Sequence, residues 1–121
     1  MGRSLRRFKS MEYAVGTDGT IAISLLDSAG ANLSVVGATA EWKLFEAVPR
    51  RRRKPFKGTS KLTKTSAAGT ITLATGLATV AIADTDLSGL SGEHWQVIRI
   101  TDSSGNITHL GQGPLHLRAA A

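Results

Sequence analysis

The sequence predicts an all-β fold: one antiparallel β-sandwich of about seven to nine short strands, preceded by a basic N-terminal arm. Apolar residues alternate with others in Ile23–Leu25 and again in Ile98–Ile100, which places one set of side chains in a core. An Asp-Ser-x-Gly turn follows each stretch, at Asp27–Gly30 and at Asp102–Gly105. The Asp can bond its own backbone and the Gly accepts a positive φ, so each turn reverses the chain into a hairpin.

The remaining strands follow from the same alternation and are separated by turn residues at nearly regular spacing, the pattern of a Greek-key sandwich. Trp42 lies in the best alternation and should anchor the core, where its burial contributes on the order of 2–3 kcal/mol. Asp84–Gly89 predicts one helical turn, and Gly111–Pro114 predicts a structural turn. The predicted strands are residues 11–15, 20–26, 38–47, 62–65, 70–74, 77–83, 95–101, 106–110 and 114–117, with a short segment at 33–37.

Length and composition indicate one domain, divided into a flexible basic arm (1–10), the sandwich (11–118) and a tail (119–121). The chain has no cysteine, which excludes disulfides and thiolate metal sites. No apolar run approaches the ~20 residues that cross a membrane, and the basic N-terminus leads into no apolar signal segment. We therefore expect no membrane contact.

The net charge of +6 is concentrated in the first half of the chain. Residues 1–64 hold 13 of the 15 Lys and Arg and five of the nine acids, so they carry +8, and the remainder carries −2. Two clusters cause this: the arm and a loop at 49–58, whose two prolines bracket five consecutive cations. We expect both to bind an acidic partner through Arg3, Arg6, Arg7, Phe8, Arg50, Arg51, Arg52, Arg53 and Lys54.

The arm should be mobile in the isolated protein and ordered only in an assembly. Leu5 and Phe8 are too few to form a core of their own, and their burial cannot repay an ordering entropy of ~1–2 kcal/mol per residue. On a neighbouring subunit they could fill pockets while the arm's cations meet carboxylates. The arm is therefore expected to reach away from its own sandwich.

The residue types expected of a catalytic or cofactor site do not form a specific pattern. Cysteine nucleophiles and a Gly-x-Ser-x-Gly motif are absent, and the pair Asp84 and Asp86 sits in a capped turn. His94, His109 and His116 flank predicted strands without tight ligand spacing, so we interpret them as ordinary surface or rim histidines. The sequence predicts no enzyme, no cofactor and no metal.

The basic run also allows contact with nucleic acid phosphates, because Arg offers forked donors to phosphate as well as to carboxylate. Phe56 is the one aromatic residue among these cations, so platforms for stacking single-stranded bases are lacking. No recognition helix is visible. The sequence therefore allows non-specific contact with phosphates and argues against recognition of a specific base sequence.

Several segments in order resemble a bacteriophage structural module. They are Thr17–Gly30, the strand Gly37–Leu44, Ser60–Ser66, Val80–Leu87 and Gly92–Leu117 with its Asp-Ser-Ser-Gly turn. Residues 12–118 are similar in this order to the immunoglobulin-like β-sandwich of phage baseplate upper proteins, tail-fibre attachment domains, and head-fibre or decoration proteins. The chain departs from that pattern by its expanded segment Pro49–Lys57.

This resemblance implies a virion protein of a tailed phage, assembled in the host cytoplasm and acting as an adaptor or attachment subunit. It implies contacts with other virion proteins, such as an acidic neighbouring subunit, and a homo-oligomer in the particle. The alternative from another class is a β module that contacts nucleic acid non-specifically through Arg50–Lys54 and the arm. A carbohydrate-binding or hydrolytic sandwich has less support, because aromatic platforms and acid pairs are lacking.

Overall fold

The computed structural model describes residues 5–7, 11–26, 30–45, 60–87 and 89–118. Every helix or strand element in these ranges is a β-strand, so the all-β prediction is confirmed. The strands are β1 (Leu5–Arg7), β2 (Met11–Ala14), β3 (Gly19–Ser24), β4 (Thr39–Phe45), β5 (Ser60–Thr65), β6 (Ile71–Ala74), β7 (Leu77–Ile82), β8 (Gly92–Thr101) and β9 (Ile107–Arg118).

The strands form two sheets with one core between them. The large sheet has the order β1-β9-β8-β4-β5, and β2 also pairs with β9. The small sheet has the order β3-β7-β6. β1 and β2 run parallel to β9, and every other pairing of these strands is antiparallel. Side chains of both sheets belong to a single hydrophobic cluster, which makes the fold a sandwich.

Trp42 lies at the centre of this core, as the alternation predicts. Its side chain is fully buried, and its Nε1–H donates to Gln96 Oε1 on the neighbouring strand β8 at 2.9 Å. Gln96 is itself fully buried, and its Nε2 lies 3.2 Å from Met11 Sδ. The indole is thus buried without an unsatisfied donor, which would otherwise cost part of the hydrophobic gain.

The Asp102–Gly105 turn has the geometry that the sequence predicts. Asp102 Oδ1 accepts hydrogen bonds from the amides of Ser104 and Asn106, each at 2.9 Å. Gly105 has φ 88°, a conformation that favours glycine. In the corresponding turn after β3, residues 27–29 lie outside the described residues, and Gly30 has φ 85°.

Gly111–Pro114 is not a turn, which corrects the prediction made from its glycines and proline. All four residues lie inside the twelve-residue strand β9 and pair with β8, Pro114 opposite Trp95. The Val15 amide donates to the Arg118 carbonyl at 2.9 Å, so alternate β9 residues, including Pro114, turn their backbone groups toward β2. Proline is tolerated because its missing N–H falls in the gap between β1 and β2, where neither strand pairs with it.

Leu5–Arg7 also differs from the expectation of an arm that leaves its own sandwich. These three residues form β1, and Leu5, Arg6 and Arg7 are in register with Leu110, Gly111 and Gln112 of β9. β9 can accept them because a strand in the interior of a sheet has hydrogen-bonding groups on both sides. The rest of the expected arm lies outside the described residues.

Three local expectations also differ from the structure. Residues 84–87 form hydrogen-bonded turns rather than a helical turn, with Asp86 N donating to Ala83 O at 3.1 Å. Asp86 supplies the cap, since its Oδ2 accepts from the Ala83 amide at 2.7 Å. β8 begins at Gly92 rather than Trp95, and residues 33–37 form no strand.

Candidate interaction surfaces

The expected partner-binding residues fall in two regions. Arg6 and Arg7 lie in β1, at the edge of the large sheet. The other expected residues, Arg3, Phe8, Arg50, Arg51, Arg52, Arg53 and Lys54, lie outside the described residues. The described strands nevertheless fix where residues 46–59 leave and rejoin the sheet.

Residues 46–59 connect two positions that face each other in the large sheet. Phe45, the last residue of β4, is in register with Ser60, the first residue of β5. Phe45 is also in register with Trp95 of β8, which is in register with Pro114 of β9. Segment 46–59, which contains the basic run, therefore leaves and rejoins the large sheet at one end of a row of paired residues that crosses it, Ser60–Phe45–Trp95–Pro114.

This row has its aromatic side chains on the outer face of the large sheet, opposite to the core. Trp42 and Ile98 face the core, so their strand neighbours Phe45 and Trp95 face the other way. Both are nevertheless buried, and neither belongs to the cluster between the sheets. Trp95 Nε1–H donates to Gln112 Oε1 at 3.3 Å, so each face of the sheet carries one indole–carboxamide pair.

The other end of the outer face is polar. Glu41 Oε1 accepts from Arg99 Nη2 at 3.1 Å and lies 3.7 Å from Lys43 Nζ. All three side chains are more than a third exposed, so solvent screens these ion pairs and they add little to stability. Beside them lies a shallow hollow of about 340 Å³, whose polar lining residues include Thr39, Glu41, Thr65, Ser66, Arg99 and Thr101.

Charge divides between the two sheets. Every Lys and Arg that the structure describes lies in a strand of the large sheet: Arg6, Arg7, Lys43, Lys61, Lys64, Arg99 and Arg118. The strands of the small sheet, Gly19–Ser24, Ile71–Ala74 and Leu77–Ile82, contain no charged residue. The strands of the large sheet also hold three acids, Glu12, Glu41 and Glu93, so their net charge is +4 (seven cations and three acids). The large sheet therefore suits an acidic surface, and the small sheet suits a neutral one.

One ion pair joins the large sheet to the turn after β7. Lys64 Nζ lies 2.6 Å from Asp86 Oδ2, and the two side chains are only 12% and 20% exposed. Asp86 also accepts the Ala83 amide at 2.7 Å. The Lys64 hydrogen bond, followed by the Ala83 amide, lowers the pKa of the Asp86 carboxyl. Lys64 thus has a structural partner on its own chain.

Two of the three histidines are not surface or rim residues, which corrects the sequence interpretation. His94 and His109 are buried, His94 in register with Leu115 and His109 with Ile100, both core residues. Because β8 begins at Gly92, His94 is an inward strand residue rather than a flanking one. His116 stays partly exposed, with Nδ1 3.4 Å from Glu93 Oε1. Within residues 5–7, 11–26, 30–45, 60–87 and 89–118, no group of three His, Asp or Glu could hold a metal ion.

A helix with the length and apolar character needed to cross a membrane is missing from the described parts of the chain. Comparison of the sequence with protein-family models gives no match, and neither does comparison with curated proteins.

Sequence reasoning located the basic segments but missed the neutral surface of the small sheet. Its signal was present in the sequence, since the three segments that form these strands lack charge entirely. Alternation alone could not reveal it, because more than forty residues separate β3 from β6 and β7, and only the pairing of β3 with β7 brings them together.

Proposed function

We propose that this chain is a docking module of the immunoglobulin-like type that acts as a structural subunit of a tailed-phage or phage-like virion. The strand order supports the immunoglobulin-like type. Sheet β3-β7-β6 packs on sheet β9-β8-β4-β5, and the N-terminal strands run parallel to the last strand. The resemblance of residues 12–118 to phage sandwiches supports the virion role.

The observation that carries the docking role is the concentration of positive charge on one sheet. The run Arg50–Lys54 adds five cations, and it belongs to segment 46–59, which leaves the large sheet after Phe45 and rejoins it at Ser60. Arg7 is in register with Gln112, which precedes Pro114, the other end of the row, by two residues. This excess of positive charge complements an acidic neighbouring subunit, and Arg can bind its carboxylates with two donors at once.

The test replaces Arg50, Arg51, Arg52 and Arg53 together with Ser and follows incorporation into particles. The control is Thr72→Ala, which changes an exposed side chain of the small sheet and leaves the run and the cations of the large sheet intact. We expect the quadruple variant to fold but to remain in the unassembled fraction. The control should be incorporated into particles. Normal incorporation of the quadruple variant would refute docking through this run.

The same surface favours one alternative, non-specific contact with nucleic acid, because phosphates attract the same guanidinium groups. Binding to a duplex of mixed sequence at two salt concentrations separates the two functions. A nucleic-acid module retains DNA near physiological salt, with a steep dependence of affinity on salt that the Arg50–Arg53 variant loses. A virion adaptor shows at most weak DNA binding that disappears at that salt concentration.

A further inference from the structure

We propose that the free edge of β3 is a docking site for a second copy of this chain, which pairs with it antiparallel across a two-fold axis. This inference concerns the small sheet, goes beyond the proposed function and does not depend on it. It follows from the direction of the backbone groups, the exposure of the side chains and the lack of charge along this strand.

Alternate residues of β3 turn their backbone groups away from β7. The Leu25 amide donates to the Gly76 carbonyl at 3.0 Å, on the β7 side. Because the direction of these groups alternates along a strand, Ile23 and Ile21 also bond to β7, and Thr20, Ala22 and Ser24 point to the open edge. A hydrogen bond on the other side of β7 supports this assignment. The Ala81 amide donates to the Thr70 carbonyl at 2.8 Å, so Ala81 does not bond to Thr20, its register partner in β3.

The open edge of β3 is accessible. The side chains of Thr20, Ala22 and Ser24 are exposed, whereas Ile21 and Ile23 are buried in the core. In the part of the chain that the structure describes, β3 pairs with β7 and with no other strand. Three residues therefore present N–H and C=O groups that a further strand could bond.

The other edges of the two sheets carry protection that β3 lacks. β5 has Lys61 and Lys64. In addition, the Thr65 amide donates to Thr70 Oγ1 at 3.2 Å, and the Thr70 amide donates to the Thr65 carbonyl at 3.3 Å. At the opposite edge, β1 and β2 carry Arg6, Arg7 and Glu12. β6 is only four residues long. β3 has six residues, with no charge, no proline and no bulge in its pairing with β7.

The sequence of β3 fits its own copy. A two-fold axis at Ala22 places Ala22 opposite Ala22, and Thr20 opposite Ser24, in hydrogen-bonded pairs that exchange about six bonds in total. Ile21 of one copy then lies opposite Ile23 of the other. A two-fold axis sets like charges against each other, and no charged residue lies in this strand or in β7 and β6 behind it. A second copy of this chain therefore matches the edge in its hydrogen-bonding groups and in its lack of charge.

Sedimentation equilibrium of the purified full chain, measured at ordinary and at high salt, tests the proposal. We expect a reversible monomer–dimer equilibrium in the wild type. Ala22→Lys sets two ammonium groups opposite each other and should weaken the dimer about tenfold or more. Ala22→Pro removes an N–H that points away from β7 and should have the same effect while the intramolecular ladder stays intact. The matched control is Ala74→Lys, which adds the same charge at an exposed position of β6.

The outcomes are decisive in both directions. Dimers in the wild type and in Ala74→Lys, with monomers in Ala22→Lys, support the proposal. A wild type that remains monomeric at the highest concentration overturns it, and so does a dimer that Ala22→Lys leaves unchanged. Equal loss in Ala74→Lys would mean that the face of the sheet associates rather than the β3 edge, which also overturns it. Since no acidic partner is present, none of these results bears on docking through Arg50–Lys54.

Discussion

Replacing Trp42 with Ala tests the placement of the core most sharply. The indole is fully buried between the sheets and forms its hydrogen bond with Gln96 at 2.9 Å. Truncation leaves a cavity whose cost is typically about 3–5 kcal/mol. It also leaves Gln96 Oε1 without its donor, which adds about 1 kcal/mol unless water enters.

This loss is large relative to the stability of the whole domain. A folded chain of this length has a free energy of unfolding of roughly 6–18 kcal/mol. A loss of about 4–6 kcal/mol therefore unfolds a marginal domain and lowers the Tm of a robust one by roughly 10–25 °C. Urea titration followed by the fluorescence of Trp95, which is buried outside the main core, measures the change.

Val36→Ala is the matched control, because Val36 is 88% exposed and its truncation should change the free energy of unfolding by less than about 0.5 kcal/mol. Gln96→Leu separates the hydrogen bond from the cavity: it keeps the volume, orphans the indole N–H and should cost about 1–3 kcal/mol. An unchanged Tm in Trp42→Ala would refute the reasoning, since the side chain would then not lie in the core.

The remaining predictions concern charge and the first strand. The Arg50–Arg53→Ser variant should keep or slightly raise the Tm of the isolated protein, because neighbouring like charges repel each other; a large loss of Tm would assign the run to the fold. Asp86→Asn should cost roughly 1.5–3 kcal/mol at pH 7. Lys64 and the Ala83 amide lower the Asp86 pKa in the folded state, so this stabilisation is complete above about pH 4 and is lost as pH falls through the lowered pKa. The urea unfolding curves of the wild type and of Asp86→Asn should therefore converge in acid. Amide exchange at Leu5–Arg7 in dilute protein should be slower than in an unstructured chain, and equal exchange would contradict the pairing of β1 with β9.

The sequence was most informative where one strand alternates cleanly. β4 and β8 were predicted from the apolar positions on the Trp42 and Ile98 face, because burial on one side of a sheet imposes a period of two. The turn at Asp102–Gly105 was predictable for a different reason, since its hydrogen bonds are made within five residues. Local patterns of this kind do not depend on which strands become neighbours.

Features that depend on distant pairing could not be predicted in this way. Gly111–Pro114 carries the residues of a turn, yet pairing with β8 holds it extended, and the missing Pro114 N–H falls in the gap between β1 and β2. Leu5–Arg7 has no alternation and is a strand because β9 offers hydrogen-bonding groups beside it. For the same reason, the open edge of β3 became visible only once β7, its one neighbour among the described strands, was known.

The most direct test of the proposed role is quantitative mass spectrometry of purified phage or phage-like particles from cells that produce this chain. The proposal predicts that the chain copurifies with the particles at a fixed ratio to the other structural subunits, and that the ratio survives a high-salt wash of loosely bound protein. A chain that remains in the unassembled fraction, or is present in particles only in trace and variable amounts, would contradict it.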